Sequence, residues 1–211
     1  MAKYSPVKFV RNLAFVFLVL FQFGKPDNSA YAVSFEVTVD TSSLAGVDGQ
    51  LAFDLIDGDG ATNNSVLISD FVTDGTLGSA LVLGGVSGSL PGSVTISDTD
   101  FFNELLQGIN LGDLISFTLD VTTNFAGGVP DSFSFFILDS TALISLVTTD
   151  LLGNALFVID IDGTATGALS VASLTEPTLL VGVTAVPEPS SILLLAVALP
   201  LFFKRIFCVR I

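Results

Sequence analysis

The middle of this sequence has no positively charged side chain. All seven basic residues lie near the two ends, and no Lys, Arg or His occurs between Pro26 and Phe203. A nucleic-acid-binding surface needs cations to displace the counterions of the phosphate backbone. The sequence therefore argues against nucleic acid as a partner, and ion pairs within the middle of the chain cannot form.

Residue types that carry most enzyme chemistry are also missing. The chain has no His and no Trp, and its single cysteine, Cys208, lies close to the C-terminus. A nucleophilic serine needs an adjacent base, and transition-metal sites need imidazole or thiolate ligands. A glycosidase needs only two carboxylates, but of the aromatic and cationic side chains that usually surround the sugar, residues 33–186 contain only Phe. We therefore expect a protein that is not an enzyme.

Carboxylates, by contrast, are abundant. The chain has 21 acidic residues and a net charge of −14, and all the acidic residues except Asp27 and Glu188 lie within residues 33–186. With no cationic side chain nearby, these groups must be solvated, accept hydrogen bonds or bind cations. Hard cations such as calcium prefer carboxylate and carbonyl oxygens, so calcium is the cofactor that this composition allows.

Two turns with the pattern Asp-x-Asp-Gly are the candidate calcium sites. The first begins at Asp57 and is followed by an asparagine, and the second begins at Asp160. Neither matches a full EF-hand loop, which requires further ligands at its fifth and twelfth positions. Two interpretations stay open: solvated hairpin turns, or calcium ligands drawn from Asp57, Asp59, Asn63, Asp160 and Asp162.

Apolar and polar residues alternate over many short segments of the middle of the chain, and Gly, Asp and Asn clusters separate these segments. Strict alternation is typical of half-buried strands. The pattern predicts an all-β fold, an antiparallel β-sandwich that is jelly-roll-like or Ig-like. One stretch, Asp98–Gly108, predicts a short turn or helix capped by Thr99 or Asp100 instead. The predicted strands include Val33–Val39, Leu51–Leu55, Val66–Ile68, Phe71–Val72, Leu81–Leu83, Val94–Ile96, Leu114–Val121, Phe133–Phe135 and Leu156–Ile161.

The N-terminal segment has the three parts of a secretory signal peptide: a basic start, a short apolar run and a small-residue cleavage site. We expect cleavage after Ala32 and export through the Sec translocon. The three parts are Lys3, Lys8 and Arg11, then residues 12–23, then Ala30 and Ala32 on either side of Tyr31.

The C-terminal segment also has three parts: a Pro-Glu-Pro tripeptide, an apolar run and a basic tail. The two prolines favour an extended backbone, which a protease cleft can bind. The apolar run has only 12 residues and contains Pro200, so as a helix it is about 18 Å long and short for a bilayer. It therefore suits a signal that is read and cut. The residues are Val186, Pro187, Glu188 and Pro189, then Ile192–Phe203, then Lys204, Arg205 and Arg210.

This C-terminal order resembles the PEP-CTERM sorting signal of Gram-negative bacteria. The resemblance implies recognition by an exosortase, a membrane cysteine protease that removes the tail, and an inner-membrane intermediate held by the C-terminal transmembrane helix. It further implies a destination at the cell surface or outside the cell, in association with exopolysaccharide and biofilm. A calcium-dependent adhesin or glycan-binding module is the alternative.

The middle of the chain resembles the ectodomains of one group of PEP-CTERM proteins. This resemblance implies a β-sandwich and a surface destination but no activity. The shared segments are Val39–Gly46, Leu51–Leu55, Gly88–Gly92 and Asp131–Phe135. We therefore divide the chain into a signal peptide (1–32), an acidic β-sandwich ectodomain (33–176), a linker (177–186) and the sorting signal (187–211).

Overall fold

The computed structural model of the protein describes residues 32–146, 155–164, 168–171 and 181–186. The expected sorting signal after Val186, and the expected signal peptide up to Tyr31, lie outside these residues. Within the described ranges, no helix has the length and hydropathy needed to cross a membrane.

The described residues form strands arranged in two antiparallel six-stranded sheets, which confirms the predicted all-β class. Sheet A has the order β12-β1-β8-β3-β6-β5, and sheet B has the order β11-β10-β9-β2-β7-β4. One 3₁₀ turn, Ser42–Leu44, follows the first strand. The strands are β1 Ala32–Asp40, β2 Asp48–Ile56, β3 Ser65–Thr73, β4 Thr76–Leu83, β5 Gly85–Gly88, β6 Val94–Ser97, β7 Phe102–Asn110, β8 Leu114–Thr122, β9 Asp131–Asp139, β10 Phe157–Ile161, β11 Ala168–Val171 and β12 Val181–Val186.

The hydrophobic core lies between the two sheets. In strands such as β1 and β8, alternate residues are buried, as the period of two predicts. Phe117 of sheet A makes an edge-to-face contact with two rings of sheet B, at centroid distances of 5.5 Å to Phe53 and 5.3 Å to Phe135. Burying such a ring stabilises the fold by about 1.5–3 kcal/mol, so these phenylalanines hold the two sheets face to face.

Six of the first eight strands pair in a nested order, whereas β4 and β5 lie in different sheets. β1 pairs with β8, β2 with β7, and β3 with β6. As a result, three loops that cross between the sheets meet at one end of the sandwich, which we call the crossover end: residues 57–64 (β2 to β3), 98–101 (β6 to β7) and 123–130 (β8 to β9).

The helix or turn predicted for Asp98–Gly108 is wrong, because most of this stretch forms β7. Its inward-facing residues are Asn103, Leu105, Gln107 and Ile109, all buried. Asn103 donates from Nδ2 to the Leu55 carbonyl at 3.2 Å, and Gln107 donates from Nε2 to a backbone carbonyl at 2.8 Å. Two polar amides with satisfied hydrogen bonds therefore occupy core positions. For this reason the hydropathy pattern of β7 does not show the alternation of apolar and polar residues.

The last described strand, β12, lies within the residues assigned above to a linker. It pairs with β1 at the edge of sheet A, with Val186 opposite Ser34. The sandwich thus continues to the residue that precedes Pro187.

Candidate metal centre

Three carboxyl groups meet at the crossover end. Asp57 and Asp59 belong to the β2–β3 loop, and Asp131 is the first residue of β9. One carboxylate oxygen of each lies within 4.8 Å of the others. Asp131 is fully buried, and the two loop aspartates are partly exposed. The arrangement is therefore open to solvent on the loop side.

Asp131 fixes the loop to the start of β9. Its Oδ1 accepts hydrogen bonds from the backbone N–H groups of Gly58 at 2.8 Å and Asp59 at 3.2 Å, and its Oδ2 accepts one from Asn64 Nδ2 at 2.6 Å. A side chain at Gly58 would overlap the backbone carbonyl of Pro130. Only glycine allows the loop to approach β9 this closely.

The two loop aspartates are held by backbone donors. Asp57 Oδ1 accepts from the Gly60 N–H at 2.6 Å, and Gly60 has a positive φ of 75°. Asp59 accepts from the N–H groups of Ala61 and Ala126, each at 2.8 Å. The Ala126 bond is the largest cause that lowers the pKa of Asp59, so this carboxylate is held in its ionised form.

Asp98 adds a fourth carboxyl group, and it is 1% exposed. Its Oδ2 accepts from the backbone N–H groups of Asn63 at 2.9 Å and Asn64 at 2.7 Å. Its Oδ1 is buried and has no hydrogen-bond partner among the described residues. Burial raises the pKa of Asp98, and the nearby charges of Asp131 and Asp57 raise this pKa further, although the two backbone hydrogen bonds oppose the shift.

Asn63 contacts two of these carboxyl groups, Asp98 through its backbone N–H and Asp59 through its side chain. Its own Oδ1 is buried and, like Asp98 Oδ1, has no donor within the described ranges. The predicted ligand Asn63 is therefore at the same place as Asp57 and Asp59.

Asparagine side chains connect this centre to sheet A. Asn64 Oδ1 accepts from Thr122 Oγ1 at 3.0 Å and from the Asn124 N–H at 2.9 Å. Asn124 Nδ2 donates to the Asn63 carbonyl at 2.6 Å. These bonds hold the end of β8 and the start of β3 beside the acidic loop, so the site rests on both sheets.

The second Asp-x-Asp-Gly turn does not join the cluster. Asp160 lies in β10, opposite Ser132. Asp162 Oδ1 accepts from the backbone N–H of Thr164 at 3.0 Å and from its Oγ1 at 2.6 Å, as in an ordinary turn. Neither aspartate belongs to the group of carboxylates that converge.

Sequence reasoning missed Asp131 and Asp98. Asp131 is 73 residues from its hydrogen-bond partner Gly58, and Asp98 is 35 residues from Asn63. The one local signal was an aspartate at the boundary of a predicted strand, and several other aspartates share that position. Their convergence follows from the crossover topology.

A separate pair of carboxyl groups lies on neighbouring strands of sheet B. Asp54 of β2 and Glu104 of β7 are directly opposite each other and share a hydrogen bond. Burial, assisted by the Glu104 charge, raises the pKa of Asp54 to about 7. A glycosidase needs carboxyl groups at least about 5 Å apart. A hydrogen-bonded pair is closer than that, so it suits a shared proton better than hydrolysis of a glycoside.

No family model matches this chain, and no curated protein or solved structure matches it significantly.

Proposed function

We propose that this chain is a non-enzymatic exported protein that an exosortase sorts to the cell surface or the extracellular matrix. The observation that carries the proposal is the C-terminal order of Pro187-Glu188-Pro189, an apolar run and a tail with Lys204, Arg205 and Arg210. The Sec translocon is the proposed route, and exopolysaccharide or biofilm material is the proposed surrounding.

The positions of the strands are compatible with this processing. β1 begins at Ala32 and β12 ends at Val186. A cut after Ala32 removes one strand residue, and a cut near Pro-Glu-Pro removes none. The mature product would keep the acidic sandwich and lose every basic residue of the chain.

A jelly roll is the finer fold that we propose for the sandwich. The nested pairs β1–β8, β2–β7 and β3–β6 favour it over the Ig-like alternative. Jelly rolls serve many functions, so the fold alone identifies no ligand.

Intact-mass analysis of the exported protein tests the sorting proposal. We expect a product without residues 202–211. Replacing Pro187-Glu188-Pro189 by alanines should leave the protein at the inner membrane, whereas Pro177→Ala, a matched change upstream of β12, should be released normally. Release of the triple variant, or a wild-type product that retains its basic tail, would contradict the proposal.

A calcium-dependent adhesin or glycan-binding module is the second candidate. The cluster of Asp57, Asp59 and Asp131 favours it, because two of these carboxylates remain partly exposed. An ion there could offer free coordination positions to sugar hydroxyl groups. A glycan array probed with calcium and with chelator tests the idea. Binding that requires calcium supports it, and an absence of glycan binding in both conditions rejects it.

A further inference from the structure

We propose that one calcium ion binds at the crossover end to Asp57, Asp59 and Asp131, that Asp98 and Asn63 supply further oxygen ligands, and that the ion couples the two sheets. The inference deepens the calcium-dependent candidate above and rests on it. It adds Asp98 and Asn63 to the three carboxylates as ligands, and it gives the ion a structural consequence.

The spacing of the three carboxylates suits a calcium ion. Calcium binds oxygen at about 2.4 Å, so two ligands on opposite sides of the ion are about 4.8 Å apart. Oxygens of Asp57, Asp59 and Asp131 lie within 4.8 Å of one another. The three carboxylates are therefore close enough for a single ion to contact all of them.

The existing hydrogen bonds leave acceptor positions for metal ligation on Asp57 Oδ1 and Asp131 Oδ2, whereas Asp131 Oδ1 already accepts two backbone N–H groups. Each carboxylate oxygen has two acceptor positions. Asp57 Oδ1, for example, accepts one backbone N–H, from Gly60, in the bonds described above. These backbone bonds orient the carboxylates before an ion arrives, which reduces the ordering needed on binding.

The buried oxygens without partners are the independent evidence for a ligand. Asp98 is almost completely buried, and its Oδ1 has no donor among the described residues. The Oδ1 atom of Asn63 is also buried and also has no donor among the described residues, and the Asn63 side chain contacts Asp59. Buried acceptors normally have a partner. A cation provides one for carboxylate and amide oxygens together.

Charge makes a cation the appropriate partner. Asp131 and Asp57 both act electrostatically on Asp98, so at least four carboxyl groups share this end of the molecule. No Lys, Arg or His lies between Pro26 and Phe203 to offset them. An external divalent cation is therefore the available counter-charge.

The ligands come from both sheets. Asp57 and Asp131 adjoin β2 and β9 of sheet B, whereas Asp98 and Asn63 adjoin β6 and β3 of sheet A. An ion held by all of them would hold the two sheets together at this end. The same ion could not be held by Asp162, whose carboxylate lies outside the cluster.

Calcium titration of the purified full chain in mild detergent, followed by calorimetry, tests the ligand set. We expect Asp57→Asn, Asp131→Asn and Asp98→Asn each to weaken calcium binding at least tenfold. Asp162→Asn, the same chemical change in the other Asp-Gly turn, should bind like the wild type. Circular dichroism identifies any variant that fails to fold. Because Asp57 is partly exposed in a loop, we expect Asp57→Asn to fold even if the substitutions at the buried Asp131 and Asp98 prevent folding.

Hydrogen exchange tests the coupling. Calcium should slow exchange in segments from both sides of the crossover end, around residues 57–65 and 97–104. Protection confined to the 57–60 turn would overturn the coupling. Wild-type affinity in Asp98→Asn would overturn the role of Asp98.

Two further outcomes separate this inference from the proposals on which it rests. No calcium binding by the wild type would overturn both this site and the calcium-dependent adhesin, while the sorting proposal would stand on its own cellular test. Binding that is lost in Asp162→Asn and kept in Asp57→Asn would overturn the site and leave a calcium-dependent function intact.

Discussion

The two Asp-x-Asp-Gly turns have the same local pattern and different surroundings. In the first turn, Asp57 and Asp59 meet Asp131 from a distant strand. In the second turn, Asp162 is satisfied by the backbone and side chain of Thr164, two residues away. The pattern alone therefore does not decide between a cation site and a hairpin turn.

The position of each turn explains the difference. The first turn lies in a loop that crosses from sheet B to sheet A, where two other crossing loops converge. The second turn follows β10 and leads to β11, its neighbour in the same sheet. A crossing loop brings side chains from both sheets together, whereas a loop within one sheet can be satisfied locally.

The largest expected effect is that of Asp131→Ala. This change leaves three donors, the N–H groups of Gly58 and Asp59 and the amide of Asn64, without their acceptor. The Asn64 bond is buried and the other two are partly buried, and an unpaired buried donor costs about 1–3 kcal/mol, so we expect the free energy of unfolding to fall by about 3 kcal/mol. Urea denaturation without calcium measures it. Asp162→Ala should cost far less, and equal losses would refute the contrast between the turns.

The Asp54–Glu104 pair differs from both turns, because a shared proton stabilises this pair of carboxyl groups. The pKa of Asp54 is raised from 3.8 to about 7, so between about pH 4 and pH 7 the folded chain keeps a proton that the unfolded chain releases. The contribution of the protonated pair to the free energy of unfolding is therefore lost as the pH rises through that window. Asp54→Asn should remove this loss.

We expect Asp54→Asn to exceed the wild type in unfolding free energy at pH 8 by an amount on the order of 2 kcal/mol. The full shift of about three pKa units would correspond to about 4 kcal/mol at about 1.4 kcal/mol per unit, and solvent screening of this partly exposed pair reduces it. At pH 4 the difference should be small. Denaturation curves at both pH values provide the measurement, and Asp48→Asn, at the exposed start of the same strand, is the control. A parallel pH dependence in wild type and Asp54→Asn would argue against a shared proton.

Two glycines of the first turn should differ in their response to alanine. At Gly58 a new Cβ would overlap the Pro130 carbonyl and force the loop away from β9, at a cost of about 2 kcal/mol. At Gly60 the space is open, and only the positive φ opposes the change, at about 1 kcal/mol. Thermal melting compares the two variants. A larger loss for Gly60→Ala would show that the contact with β9 does not position the loop.

The smallest effect is expected for Asp162→Asn. Asparagine can accept the same hydrogen bonds from Thr164, and the site is exposed. We expect a change in unfolding free energy below about 0.5 kcal/mol, with the same rise in melting temperature on adding calcium as in the wild type. Loss of that rise would place the ion at the second turn.

The strands that could be predicted are those in which apolar and polar residues alternate strictly, such as β1 and β8. β7 could not, because Asn103 and Gln107 occupy buried positions and their partners lie on other strands. A hydropathy pattern reports only the chemistry of the side chain. It does not report whether a distant backbone will satisfy it.

The candidate site, like the fold, could be predicted only in part from the sequence. Asp57, Asp59 and Asn63 lie within one loop, so their spacing was visible in the sequence. Asp98 and Asp131 join them only through the pairing order of the strands, which places their loops at the same end. Local patterns therefore identified three of the five residues, and topology supplied the other two.

The most direct test of the calcium site is the stoichiometry of calcium binding by the purified chain, measured in the wild type and in Asp57→Asn and Asp162→Asn. We expect one strongly bound ion per chain in the wild type and in Asp162→Asn, and none in Asp57→Asn. A stoichiometry of zero in the wild type, or a second ion that disappears only in Asp162→Asn, would rule out the calcium site at the crossover end.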